Sequence, residues 1–131
     1  MLIHMDGKVA RSTGGSHDIG VTIALGLAEA GATIAILARD RSRTEEAAER
    51  IRASGGRALA LAGDVRSKVE MQAAADAVIK AFDHVDILVN NAGVAGAAPS
   101  EDLEEAEWDR SIDINLKGTF FCCQSSGRHM L

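Results

Sequence analysis

Residues 32–38 read ATIAILA, a near-continuous apolar run of strand length. A strand wetted on one face alternates apolar and polar residues, so an unbroken run belongs to a strand covered on both faces, as in a parallel sheet between helices. The flanking sequence repeats that logic. Residues 8–12 form a short candidate strand, followed by the turn-rich Thr13-Gly14-Gly15-Ser16 and a helix over 18–30, with Ile19, Ile23 and Leu27 at helical spacing and Gly31 as its stop. A polar helix is expected over 44–54, with Glu46 placed to meet Arg50 and Gly55-Gly56 ending it. Ala58–Ala62 is a third strand, Ser67 and Glu70 form a capping box ahead of a helix reaching Phe82, and residues 86–90 (DILVN) are a fourth strand. After Ala97-Ala98-Pro99-Ser100, the residues Trp108, Ile112, Leu116 and Thr119 recur along one face of a long last helix. Such alternation with long crossovers defines the α/β class: a doubly wound parallel sheet of about four strands with flanking helices.

Composition narrows the function classes. With 131 residues, 47% of them hydrophobic and 25% charged, the chain can bury a core as one domain and is neither disordered nor fibrous. A net charge of -5 argues against a dedicated nucleic-acid or anionic-membrane binder. The longest apolar runs are too short to span a bilayer, and residues 1–8 show no signal-peptide pattern. Cys122 and Cys123 are adjacent, there is no Cys-x-x-Cys, and the four histidines are scattered, so no metal site and a reduced, cytoplasmic setting are expected.

In doubly wound sheets, ligands bind beyond the carboxyl ends of the strands. The turn from Thr13 to Gly20 (TGGSHDIG) lets backbone amides approach a pyrophosphate at a helix N-terminus, although an ordinary tight turn reads the same way. The acidic residue that would accept from a ribose hydroxyl is absent after the second strand, where Ala38 and Arg39 stand. Arg39 either meets a 2′-phosphate or is one more solvated cation. Asp64-Val65 offers a carboxylate and an apolar edge to an adenine ring, or else a turn residue. Asn90-Asn91-Ala92-Gly93 is the most specific stretch: two amides and a glycine at a strand end can bridge neighbouring strands. Asn115, in an otherwise apolar helical stripe, reads as a buried polar group with a backbone or water contact.

Together, Gly7-Lys8-Val9-Ala10, the Thr13 to Gly20 turn, Asp64-Val65, DILVNNAG over 86–93 and WDRSIDINLKGTFF over 108–121 resemble the short-chain dehydrogenase/reductase family. The resemblance covers essentially the whole chain and implies a Rossmann-like fold binding a nicotinamide dinucleotide, NADP by way of Arg39, with NAD the alternative. It is closest to the branch of 3-oxoacyl-carrier-protein reductases and sugar or alcohol dehydrogenases. It implies that Gly14, Ile19 and Gly20 line the pyrophosphate, Arg39 the adenosine phosphate, Asp64 and Val65 the adenine, and Asn90, Ala92 and Gly93 the ribose. Asn115 matches the asparagine of the family's catalytic Asn-Ser-Tyr-Lys group, and the last helix matches one at a dimer interface, so a homo-oligomer through it is a further expectation.

The departures point the other way. The family's catalytic serine and Tyr-x-x-x-Lys follow the last helix read here, the sequence holds no tyrosine, and a truncated or decayed form without turnover is the expectation. Asp18 replaces the middle glycine of the cofactor turn. A carboxylate there caps the helix for about 1 kcal/mol. It also opposes a pyrophosphate: two charges about 4 Å apart repel by ~4 kcal/mol at an effective dielectric of about 20. Arg11 and Ser12 stand in the first strand where branched apolar residues belong, so either Arg11 finds a carboxylate, with Asp86 one candidate, or the strand frays. If so much of the enzyme is lost, a non-catalytic remnant or self-associating module is the alternative, through exposed Phe120, Phe121 and Cys122.

Overall fold

The computed structural model describes residues 3–16 and 18–131; Met1, Leu2 and His17, the last within the glycine-rich turn, lie outside them. The strands are β1 (Val9–Thr13), β2 (Thr33–Ala38), β3 (Ala58–Ala62) and β4 (Ile87–Asn90). They pair in parallel in the order β3-β2-β1-β4. The helices are α1 (Asp18–Glu29), α2 (Arg41–Ala53), α3 (Lys68–Phe82), α4 (Glu105–Ile112) and α5 (Thr119–Met130), with a π-helical segment (Asp113–Gly118) joining α4 to α5. This is the Rossmann-like doubly wound arrangement that the alternation predicts, and the strand order reverses between β1 and β4.

The apolar run of β2 is buried along its middle, as a central parallel strand requires. On one face Ala10, Ile34 and Ile36 pack against Ala24 of α1 and Ala47 and Ile51 of α2. On the other, Leu37 meets Met71 and Ala74 of α3 and Cys122 of α5, and Ala35 meets Val78. Among the described residues β4 pairs only with β1, which leaves its other edge uncovered and Ile87, Leu88 and Val89 half-buried.

Several local expectations shift. The second helix starts at Arg41 rather than 44, because the Asp40 side chain accepts from the Arg43 backbone N–H at 3.1 Å and caps it earlier. On that helix the arginine that gathers carboxylates is Arg52, at 3.0 Å from Glu49 and also on Glu45, not Arg50 on Glu46. The Ser67 cap forms as read, its hydroxyl accepting from the Glu70 N–H at 3.2 Å.

Neither outcome read for Arg11 occurs. The strand is intact and Arg11 is fully buried on the α3/α5 face, without a carboxylate. Its Nη1 donates to the hydroxyls of Ser125 and Ser126 at 3.0 and 2.9 Å, and its Nη2 to the Met71 carbonyl at 3.2 Å. Asp86 turns instead to the sheet's other end, accepting from the Val9 N–H at 2.8 Å with Lys8 and His84 beside it. Cys122 is likewise fully buried rather than exposed, its thiol donating to the Met71 sulfur at 3.4 Å. Phe121 is half-buried, and the cysteine that meets solvent is Cys123.

Candidate active site

A cavity of about 240 Å³ opens over the carboxyl ends of the strands, where the strand order reverses. Gly14 follows β1, Ala38 and Arg39 close β2, Gly63, Asp64 and Val65 follow β3, and Ala92, Gly93 and Val94 follow β4. Each sits there because a strand ends at that point and its backbone turns toward the next helix. Ile114, from the π-helical segment, also lines it and shares a core cluster with Leu37 and Val65.

The floor is held by contacts across strands. Asn91 Nδ2 donates to the Gly14 carbonyl at 2.9 Å, and the Ala92 N–H donates to the Thr13 hydroxyl at 3.2 Å. Gly14 adopts φ +64°, and a Cβ there would lie 2.8 Å from the Ala92 Cα. A Cβ on Gly20, in the first turn of α1, would collide with the Gly14 carbonyl. Glycine at these two positions lets helix, turn and neighbouring loop approach one another.

Asn115 clamps the far wall. Its Oδ1 accepts from the Val94 N–H at 2.8 Å and its Nδ2 donates to the Val94 carbonyl at 2.7 Å. Of the backbone or water contact expected, the backbone one occurs, but Asn115 is exposed rather than buried. Asn115 lies within the π-helical segment, whose wider turn departs from the regular helical spacing assumed from sequence. The Trp108 stripe does not face the core: Trp108, Leu116 and Phe120 are 58%, 64% and 59% exposed.

Charge concentrates at the rim below β2 and β3. Arg39 and Arg43 line it with Asp40 and Asp64. Asp40 is engaged by the α2 backbone and lies 3.8 Å from Arg43 Nε. Asp64 is held below the usual carboxylate range, chiefly by hydrogen bonds from the Arg66 guanidinium, which outweigh its partial burial; the Arg66 backbone N–H and the charge of Arg39 add to this. Two arginines and two aspartates thus line this rim, with Arg66 paired to Asp64 just outside it, in a chain that is acidic overall.

Of the residues singled out from sequence, Gly14, Arg39, Asp64, Val65, Ala92 and Gly93 line the cavity together. Gly20 supports it from beneath. Ile19 lies in the first turn of α1, 70% exposed, outside the lining. Asn90 points away, its Nδ2 donating to Cys123 Sγ at 3.3 Å. Sequence reasoning missed Asn91 as the bridging member of its pair, Thr13 as the acceptor for the Ala92 N–H, and Arg43. Only the last had a readable signal: Asp40 as a cap places Arg43 in the first turn of α2.

The cavity is small. It falls below the roughly 300–1,000 Å³ of pockets that enclose a whole drug-sized ligand, and its cations gather at one side. Sheet order and crossovers define an α/β protein of the doubly wound class, with a glycine turn and a cavity at the carboxyl ends of its strands. A model of the short chain dehydrogenase family matches residues 8–131, and the chain belongs to the short-chain dehydrogenase/reductase family. It is 44% identical over 127 residues to D-threitol dehydrogenase of Mycolicibacterium smegmatis, covering 97% of this chain and 49% of that one. A crystal structure of a short-chain alcohol dehydrogenase from Sinorhizobium meliloti, so described provisionally, superposes with a TM-score of 0.93 at 43% identity, over 99% of this chain and 52% of that one. A metagenomic short-chain oxidoreductase in complex with NADP (TM-score 0.90, 35% identity, 96% and 57% covered) and an NAD+-bound xylitol dehydrogenase (0.92, 36%, 95% and 48%) also match. The chain thus spans about half the length of the relatives it matches. Among the described residues no helix is long and apolar enough to cross a membrane, and no cluster of metal-ligating side chains occurs.

Proposed function

We propose that these 131 residues are the dinucleotide-holding portion of an NAD(P)-dependent oxidoreductase and that they bind NADP(H) in preference to NAD(H). The observation that carries the reading is the cavity rim. Arg39 and Arg43 line it where β2 ends, and Ala38 stands in place of a carboxylate that would repel a 2′-phosphate. Gly14, Ala92 and Gly93 would bring backbone close to the dinucleotide, Val65 would flank the base, and Asn115 would keep the Val94 loop in place. When bound, the nicotinamide supplies or takes up hydride. The proton that accompanies it has no family-type donor here, because no residue in the sequence is a tyrosine. These residues alone therefore do not turn over a hydroxyl or carbonyl substrate. Thermal shift with NADPH and NADH tests the first part: NADPH should stabilise the chain more at equal millimolar concentration, and an equal or reversed effect contradicts it. Measurable NADPH oxidation by the pure chain with a carbonyl substrate would overturn the second part.

A second reading, self-association, is favoured by the stripe of Trp108, Ile112, Leu116 and Phe120 that α4, the π-helical segment and α5 present to solvent. A second copy of the chain on this face would cover it. Light scattering should show a dimer or larger species that Leu116→Glu converts to monomer; a monodisperse wild-type monomer contradicts this reading.

A further inference from the structure

The two helices on the Arg11 face of the sheet are fastened differently. From α3, Met71, Ala74, Ala75 and Val78 are buried, and Met71, Ala74 and Val78 belong to the apolar clusters around Leu37 and Ala35. From α5 the buried residues are Cys122, Ser125 and Ser126, and only Cys122, with half-buried Phe121 beside it, joins an apolar cluster. The two serines face a cation instead. They accept from Arg11 Nη1 at 3.0 and 2.9 Å, while Arg11 Nε and the neighbouring Ser12 Oγ are buried without a hydrogen-bond partner. Other links from α5 are the Cys122 thiol on the Met71 sulfur at 3.4 Å and two exposed contacts, Asn90 with Cys123 and Asp76 with His129.

A buried cation without a carboxylate forfeits hydration that the seated helix does not replace. Lifting α5 would restore that hydration and uncover little apolar surface, whereas lifting α3 would uncover Met71 and Val78. The lifting unit has a boundary. At Gly118, immediately before α5, a Cβ would lie 2.6 Å from Val65 Cγ2, and upstream Asn115 grips Val94 through both amide atoms, so the π-helical segment stays seated. We propose that α5 opens as a unit about Gly118, at lower cost than global unfolding, and that the uncompensated charge of Arg11 sets how often it does so. Each opening withdraws Cys122 from the cluster that holds Val65 and Ile114, two residues of the cavity lining.

Cys122 reports the opening, because it is fully buried while α5 is seated. In the Cys123→Ser chain, labelling of this one thiol by an aromatic disulfide reagent is followed across urea concentrations below the unfolding transition. A comparison chain carrying Val78→Cys with Cys122→Ala and Cys123→Ser reports on α3 in the same way. Each rate is divided by that of the unfolded chain, and melting curves confirm that each variant is folded. Cys122 should label faster than Val78→Cys, with a urea dependence less than about half the m value of global unfolding. Arg11→Met, added to Cys123→Ser, should slow Cys122 labelling by about fivefold or more. Ser126→Ala removes one of the two acceptors of Nη1 and should speed it by about threefold or more. A Cys122 rate no faster than that of Val78→Cys, a urea dependence of about half the global m value or more, or a smaller slowing by Arg11→Met overturns the proposal. If Arg11→Met does not fold, Ser126→Ala decides, and a smaller rise in rate overturns it.

Discussion

The two walls of the cavity come from adjacent strands of one sheet, yet their polar groups are satisfied to different degrees. On the β4 side, Asn91 and Ala92 tie the loop to β1, and Asn115 holds Val94 through both its amide atoms. On the β1 side, Arg11 Nε and Ser12 Oγ are buried without partners, and Asp18 adopts φ +51° at the first position of α1. Burial makes the Arg11 guanidinium easier to deprotonate than usual and pushes the Cys122 thiol up, since neither charged form is favoured there. The difference shows where the site keeps its shape and where it carries cost. The loop wall is tied across strands by hydrogen bonds, and the glycine turn before α1 packs so closely on its neighbours that a Cβ at Gly14 or Gly20 would collide with them.

The largest effect should come from breaking the link between the walls. Gly20→Ala drives a methyl group into the Gly14 carbonyl and displaces Asn91, and should cost about 2–3 kcal/mol in denaturant unfolding while abolishing dinucleotide binding. Repairing the β1 wall acts in the opposite direction. Arg11→Met removes a buried cation that no carboxylate compensates, and the freed serine hydroxyls can donate to the preceding helical turn, as Ser125 already does to the Cys122 carbonyl. It should stabilise the chain by about 2 kcal/mol, read as a rise in Tm of several degrees. Asn115→Ala weakens the β4 wall through two hydrogen bonds at an exposed position. It should cost about 1 kcal/mol and loosen NADPH binding by a few-fold in calorimetry.

Acid should produce the smallest change. Asp86 is held below the usual carboxylate range, first by the Val9 N–H and then by Lys8 and His84, and Asp64 by Arg66. A carboxyl whose folded pKa is depressed stabilises the fold above its unfolded value, about 3.9, and that contribution is lost as pH falls through the folded value. Melting temperature should therefore fall gently below about pH 4, and Asp86→Asn should flatten the fall.

Much of this was legible in the residues. The unbroken apolar run over 32–38 announced a doubly covered strand, and the glycine turn with DILVNNAG placed the cavity at the strand ends. What could not be read depends on three-dimensional partners. Arg11 looked incompatible with a central strand because Ser125 and Ser126, more than a hundred positions away, are invisible to local pattern. The Trp108 stripe was legible as helical spacing, but a period says only which residues share a face, not whether anything covers it. The π-helical segment that carries Asn115 was not legible, because regular helical spacing was assumed across it. Asn90 and Asn91 are chemically identical neighbours, and only strand pleating decides which one bridges.

Asp18 is the residue on which the contrast between the walls turns. A non-glycine residue at φ +51° carries roughly 1–2 kcal/mol of backbone cost, and on the proposed reading its carboxylate would oppose the cofactor's pyrophosphate. Titrating NADPH into the wild-type chain and Asp18→Gly by calorimetry tests the account most directly. Weak wild-type binding that tightens by about fivefold or more in Asp18→Gly, consistent with about 1 kcal/mol or more of relieved repulsion, is the predicted result. Equal affinities, or no binding by either chain up to millimolar cofactor, would contradict it.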